Sequence, residues 1–128
     1  MTPDLTQARL HCEAAYPNEG VCAYLRTGST WRFVPLENIS EAPHTSFVID
    51  PLAWMKLERA NQAICLVHSH VDGPAELSRR DLDTFTVDGR PLLPDLVLVV
   101  VEVRDRRAVS VGEWSFRNGA WEPIAPAL

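Results

Sequence analysis

Two histidines and one aspartate stand close together in the middle of the chain. His68 and His70 are separated by a single residue, and Asp81 follows after a short stretch rich in polar residues. Because successive side chains on a strand point to opposite faces, the two imidazoles would project from the same face. Imidazole nitrogen and carboxylate oxygen are ordinary zinc ligands, and three protein ligands leave the fourth tetrahedral position to water. The spacing therefore predicts a zinc site of the open, catalytic kind.

Two neighbouring elements would hold these ligands. Residues 63–67 are apolar and contain β-branched side chains, which predicts a buried strand that leads directly into the histidines. Residues 72–74, Asp-Gly-Pro, would end that strand, and Ser78 and Asp81 are spaced to share one side of the first turn of a helix. The same two residues form a capping box, which requires no metal. Both roles are compatible, since the serine can cap the helix while the aspartate turns to the ion.

The order of these residues resembles the signature of the JAMM, or MPN-type, metalloprotease family. That signature is His-x-His, seven residues, serine, two residues and aspartate, and it occupies residues 68–81 here. The resemblance implies a single α/β domain with a mixed, curved β-sheet flanked by helices. It implies zinc as the cofactor, bound by His68, His70 and Asp81.

The resemblance also assigns roles to residues outside the metal ligands. Glu19 matches the family's catalytic glutamate, which acts as the general base on zinc-bound water, although Glu13 is another acid nearby. Ser78 would donate a hydrogen bond to the water or to the oxyanion of the tetrahedral intermediate. Asn38 and Pro43 resemble a stretch of the family that leads through an extended segment into a helix.

The composition is that of an ordinary globular protein and narrows the possible partners. The chain has 128 residues with a hydrophobic fraction of 46%, and we expect one domain over residues 1–128. Its net charge is -5 and lysine is almost absent, so no basic face is expected to bind nucleic acid. The longest apolar run is far too short to span a membrane, and no leader is evident. A cytoplasmic protein is therefore predicted.

The cysteines favour the same compartment. They are odd in number and contain no Cys-x-x-Cys pair, which predicts free, buried thiols in a reducing environment: Cys12, Cys22 and Cys65. Cys65 has the opposite parity to the histidines on the predicted strand, so its side chain should face away from the metal.

Hydrophobic periodicity and turn signals predict alternating helices and strands. A helix should begin at Thr2-Pro3-Asp4 and end near Tyr16, and a buried central strand should cover residues 95–104. The further predictions are strands at 21–26, 30–35 and 108–114, a helix from Asp50-Pro51 to Asn61, a stiff connector at 91–94, and a hairpin joining 114–117 to 120–122.

Other residues near the motif have weaker assignments. Many family members have proline after the second histidine, where this chain has Val71, so the loop over residues 71–77 is expected to follow its own path. Asp72 and Glu76 would either contact substrate or simply solvate that loop. Two further histidines, His11 and His44, lack partners at ligand spacing and are predicted to lie on the surface.

The resemblance favours one function over two others. Family members that act on ubiquitin in eukaryotes carry sizeable insertions near the active site, and this chain has no room for them. We therefore expect a zinc peptidase or isopeptidase of the compact bacterial type, acting on the C-terminal region of ubiquitin-like or sulfur-carrier proteins. The alternatives are a non-catalytic MPN-type scaffold and a peptidase of phage-tail or cell-wall assembly. No sequence feature specifies an oligomeric state.

Overall fold

The computed structural model describes residues 2–124, which form three helices and eight strands. The helices are α1 (Thr6–Ala15), α2 (Pro51–Arg59) and α3 (Arg79–Phe85). The strands are β1 (Val21–Thr27), β2 (Thr30–Leu36), β3 (Ile64–Val71), β4 (Thr86–Val87), β5 (Arg90–Pro91), β6 (Val97–Arg104), β7 (Arg107–Arg117) and β8 (Ala120–Pro123). None of the helices among these residues is long and apolar enough to cross a membrane.

Six strands form one mixed sheet in the order β2-β1-β3-β6-β7-β8, which curls into a half-barrel. Strands β3 and β6 are parallel, and the other neighbours are antiparallel. As predicted, the apolar run around residues 95–104 is a central strand. Its residues Leu98 to Val101 are 0% exposed, because β6 has a strand on each side and packed side chains on both faces. The predicted fold class, α/β with a mixed curved sheet, is confirmed.

The two faces of the sheet bury two separate apolar clusters. Helix α1 lies on one face, where Cys12 packs with Cys65 and Val67. The other face carries Leu57 of α2 and Phe85 of α3, together with Ile64, Leu66 and Leu98. Because side chains alternate along β3, the two histidines share the α2 and α3 face, whereas Cys65 faces α1 as predicted.

The first helix begins later than the sequence predicted. It starts at Thr6, not at Thr2, and Asp4 Oδ1 accepts a hydrogen bond from the Thr6 amide at 2.8 Å. The Asp4 carboxylate therefore satisfies one of the helix's first free N–H groups. The second helix begins as predicted, since Asp50 accepts from the Leu52 amide and Pro51 is the first helical residue.

In the C-terminal half, the predicted elements are present with one difference. The segments predicted at 108–114 and 114–117 join in one strand, β7, from Arg107 to Arg117. The difference is at residues 86–91, just before and at the start of the connector predicted at 91–94, which form the small β4-β5 hairpin. Asp88 and Gly89 both have positive φ, which suits a tight two-residue turn. The hairpin around Asn118-Gly119 is present as predicted.

Candidate active site

Three potential metal ligands converge at the end of β3 and the start of α3. Asp81 Oδ2 lies 3.2 Å from the Nε2 atoms of both His68 and His70, and these two nitrogens are 3.2 Å apart. His68 is fully buried and Asp81 is 5% exposed. Strand β3 runs through both histidines, so a regular backbone fixes the separation of the two rings. The structure therefore brings together the three ligands predicted from the sequence.

The surroundings fix the orientation of each imidazole. His70 Nδ1 donates to the carbonyl of Pro74 at 2.9 Å, which selects the tautomer whose Nε2 carries the lone pair. The ring of Phe47 packs against His68 with centroids 4.6 Å apart. Burial lowers the pKa of His68 and so favours a neutral ring. Both rings are thus held with Nε2 directed at Asp81.

This arrangement fits a bound divalent cation. In the neutral form of His70 that donates to Pro74, the lone pair on Nε2 faces a carboxylate oxygen at 3.2 Å. Acceptor atoms that face one another in a buried site repel each other unless a cation lies between them. Two imidazole nitrogens and one carboxylate oxygen are a donor set that suits zinc and leaves one position open. The three residues could therefore hold a metal ion.

Asp81 has a second, structural task at the start of α3. Its side chain accepts from the Ser78 amide at 2.9 Å, and Ser78 Oγ accepts from the Asp81 amide at 3.1 Å, which completes the capping box. Although burial opposes its charge, the two imidazoles, when their Nε2 atoms carry protons in the metal-free site, and the Ser78 amide hold the pKa of Asp81 well below its usual range. The carboxylate is therefore charged and fixed, as a metal ligand must be.

Glu19 lines the same cleft as the ligands. The cleft has a volume of about 300 Å³ and includes Glu19, His70, Ser78 and Asp81. Strand pairing explains this placement, because Val21 lies opposite His68 and the Ser69 amide donates to the Gly20 carbonyl, which holds the segment before β1 against the end of β3. Glu19 is 8% exposed, and burial raises its pKa to about 7.

Three contacts hold the backbone around Glu19. Its amide donates to the Pro43 carbonyl at 2.6 Å, and its carbonyl accepts from Asn38 Nδ2 at 2.9 Å. The next amide, that of Gly20, donates to Ser69 Oγ at 2.7 Å. Ser69 was not predicted to matter, because its parity directs it away from the metal. On the opposite face of β3, its hydroxyl instead reaches the Gly20 amide, next to Glu19.

The other acid considered from the sequence lies elsewhere. Glu13 is on α1, and its Oε2 atom accepts a hydrogen bond from the Ala108 amide at 2.8 Å. This contact ties α1 to strand β7 and leaves Glu13 outside the residues that line the cleft. Of the two acids, only Glu19 lies beside the ligands.

The remaining predicted residues have mixed outcomes. His44 is exposed, as predicted, and lies at the edge of the cleft. His11 was predicted to lie on the surface, but it is half-buried and its Nε2 contacts the carbonyls of Val21 and Leu36, because α1 packs over that end of the sheet. Asp72 accepts a hydrogen bond from the Tyr16 hydroxyl at 3.0 Å.

These features agree with a comparison of the chain with known families. The sequence profile of the family described as prokaryotic homologs of the JAB domain matches residues 2–117. The chain belongs to this family, which confirms the resemblance carried by the His-x-His motif.

Individual relatives give more detail. A protein from Thermus thermophilus, named as a probable TtuB-protein conjugate cleaving protease, is 36% identical over 83 residues. That match covers 61% of this chain and 56% of the relative, so it spans about half of the relative's length. A protein from Salinibacter ruber, known from a solution structure, is 24% identical with a TM-score of 0.58, covering 97% of this chain and 87% of the other. The second likeness shows the fold.

Proposed function

We propose that this protein is a zinc-dependent peptidase or isopeptidase. The observation that carries the proposal is that three side chains able to bind a metal ion converge at a cleft, which is also lined by a buried glutamate and a serine. The ligands in the proposal are His68, His70 and Asp81, and the groups that assist the reaction are Glu19 and Ser78. A scaffold domain without catalytic activity would need none of these groups in this arrangement.

The proposed reaction is the hydrolysis of an amide. Zinc bound by the three ligands would polarise the scissile carbonyl and lower the pKa of water beside it. Glu19 takes a proton from the attacking water and returns it to the leaving nitrogen. The carbonyl carbon gains a hydroxyl group, the C–N bond breaks, and the nitrogen leaves as an amine.

The two assisting groups are suited to their roles. In the metal-free chain burial raises the pKa of Glu19 to about 7, and a cation bound beside it would lower that pKa again, so the side chain would be an ionised base that can accept the proton of the water and later return it. Ser78 Oγ accepts from the Asp81 amide, which leaves its own hydrogen free to donate to the oxyanion of the tetrahedral intermediate. A positioned donor of this kind contributes about 10²-fold to kcat.

We propose that the substrate is the C-terminal region of a ubiquitin-like or sulfur-carrier protein. Two observations support this substrate. The family resemblance implies it, and the Thermus thermophilus relative is named for cleaving a protein conjugate. A cytoplasmic location and a single domain over residues 1–128 remain predictions.

Intact mass spectrometry tests the proposal. The purified protein is incubated with a ubiquitin-like protein that carries a C-terminal extension. We expect the substrate to lose the mass of the extension, and we expect chelation of the metal or Glu19→Gln to abolish that loss. Trimming that continues at full rate in the presence of a chelator would contradict the proposal. No trimming of any such substrate by the zinc-loaded protein would favour the scaffold function.

A further inference from the structure

Arg80 occupies the junction of two neighbouring depressions on the surface. It is an exposed residue in the first turn of α3, directly before the ligand Asp81. Its side chain lines the catalytic cleft and also an adjoining apolar groove of about 560 Å³. The groove shares Phe47 and Thr84 with the cleft, so the two are continuous beside Arg80.

Arg80 differs in charge from the acidic residues that line the cleft. Glu19 and Asp81 contribute two carboxyl groups, and Arg80 is the one lysine or arginine among the cleft residues between positions 2 and 124. In that described part of the chain, its guanidinium makes no ion pair and no hydrogen bond, whereas the Arg104 guanidinium is paired with Glu102. The adjacent Arg79 is equally exposed but lines neither depression.

A guanidinium without a partner at the edge of an acidic cleft is suited to bind a carboxylate. Its planar fork donates two parallel hydrogen bonds to a carboxylate, and it stays charged at any physiological pH. A peptide that ends one or two residues beyond the scissile bond carries its terminal carboxylate about 3.5–7 Å from the leaving nitrogen. Arg80 would give that carboxylate a fixed positive partner on the cleft wall, separate from the zinc ion and from the carboxyl groups of Glu19 and Asp81.

From this arrangement we propose that Arg80 is a specificity-determining residue, which binds the C-terminal carboxylate of a leaving segment of one or two residues. The inference rests on the proposed peptidase function and makes it narrower. It implies that the protein trims short C-terminal extensions in preference to cleaving internal peptide bonds or conjugates to large proteins. The small volume of the cleft, about 300 Å³, is at the lower end of ligand sites and suits a short leaving segment.

Arg80 could instead act through the general base. Its positive charge lowers the pKa of Glu19, against the larger effect of burial, so removing the charge could change the rate for every substrate alike. A carboxylate-binding residue changes the rate only for substrates that carry the carboxylate. The two roles therefore differ in how the effect depends on the substrate's terminus.

The test compares two forms of one substrate with three forms of the protein. A ubiquitin-like protein extended by one residue is prepared with a free C-terminal carboxylate or with a carboxamide. The zinc-loaded wild type, Arg80→Ala and the matched control Arg79→Ala are each assayed for kcat/KM by intact mass. We expect the wild type and Arg79→Ala to prefer the carboxylate by about tenfold, a size typical of a charge-assisted hydrogen bond. Arg80→Ala should reduce that ratio to about one by slowing the carboxylate form alone.

The outcomes separate this inference from the proposed function. Equal rates for the two substrates in the wild type would overturn the role of Arg80 while leaving the peptidase intact. An equal loss on both substrates in Arg80→Ala would show that the residue acts through Glu19, which also overturns the inference. A comparable loss of preference in Arg79→Ala would assign the effect to general surface charge. No hydrolysis of either substrate by any form would count against the proposed function itself.

Discussion

At the scale of single residues, Glu19, the proposed general base, lowers the stability of the fold above its pKa. Its carboxyl group is buried beside Asp81 and has a folded pKa of about 7, compared with an ordinary value of 4.5. Between these two values the folded chain binds more protons than the unfolded chain does. The free energy of unfolding therefore falls as pH rises through this window, because the folded state must accommodate a buried charge.

Replacement of this carboxyl by an amide should remove that pH dependence. In the metal-free protein, we expect Glu19→Gln to have the same free energy of unfolding as the wild type near about pH 4, where the carboxyl is neutral in both states. By about pH 8 the variant should be more stable by up to about 3 kcal/mol, the free energy that corresponds to a pKa shift from 4.5 to about 7. Urea unfolding across this pH range measures the difference. A difference that does not change with pH would mean that Glu19 is not held in a neutral form by its surroundings.

At the scale of elements, strand β3 supports the site from both of its faces. His68 and His70 face α3 and belong to the proposed metal centre, while Ser69 faces the opposite way and its hydroxyl accepts a hydrogen bond from the Gly20 amide. The loop over residues 37–50 completes the support through Asn38. The side chain of Asn38 bonds the carbonyls of Glu19, Pro43 and Ser46 and the amides of Ser40 and Val48.

Loss of the Asn38 amide should therefore affect catalysis more than metal binding. We expect Asn38→Ala to cost about 1–3 kcal/mol in the free energy of unfolding, because buried backbone groups lose their partners. A displacement of Glu19 by about 1 Å would lower kcat by about 10²-fold, while zinc affinity stays near that of the wild type. The exposed Asn18, whose side chain makes no hydrogen bond within residues 2–124, provides the control Asn18→Ala. Equal losses of kcat and zinc affinity in Asn38→Ala would indicate general unfolding instead.

The same elements show which parts of the site could be predicted from the sequence. His68, His70, Ser78 and Asp81 lie on one strand and the next helix, so alternation and a capping pattern are enough to place them together. Glu19 was assigned from a family resemblance, since its place beside His70 depends on the register of β1 against β3. Such a register depends on tertiary packing and turn geometry, which a single sequence does not display. The roles of Ser69 and Asn38 depend on the same pairing.

At the scale of the whole molecule, strand β7 also supports the proposed metal centre. The loop after β3 supplies the Pro74 carbonyl that orients His70, and the same loop packs on β7. A side chain at Gly112 of β7 would overlap the Ala75 carbonyl and the Trp114 ring. Because Gly112 has no side chain, the loop can lie close to β7. This position of the loop places the Pro74 carbonyl where it accepts from His70 Nδ1.

Filling this space should weaken metal binding without touching a ligand. We expect Gly112→Ala to push the loop outward, to destabilise the fold by about 1–3 kcal/mol and to lower zinc affinity by about tenfold. Zinc affinity can be measured by competition with a chelator of known affinity. Val109→Ala, an exposed change on the same strand, should leave both quantities unchanged. Unaltered zinc affinity in a destabilised Gly112→Ala would separate the loop from the metal centre.

In the proposed site, three side chains from β3 and α3 hold one zinc ion. Calorimetric titration of zinc into the chelator-treated protein tests this claim most directly, with Asp81→Asn as the variant. The asparagine can still accept from the Ser78 amide, so the capping box is kept while the ligand charge is lost. We predict one equivalent of zinc bound by the wild type and by Glu19→Gln, and a loss of binding in Asp81→Asn. Binding that is undiminished in Asp81→Asn, or no binding by the wild type, would contradict the account.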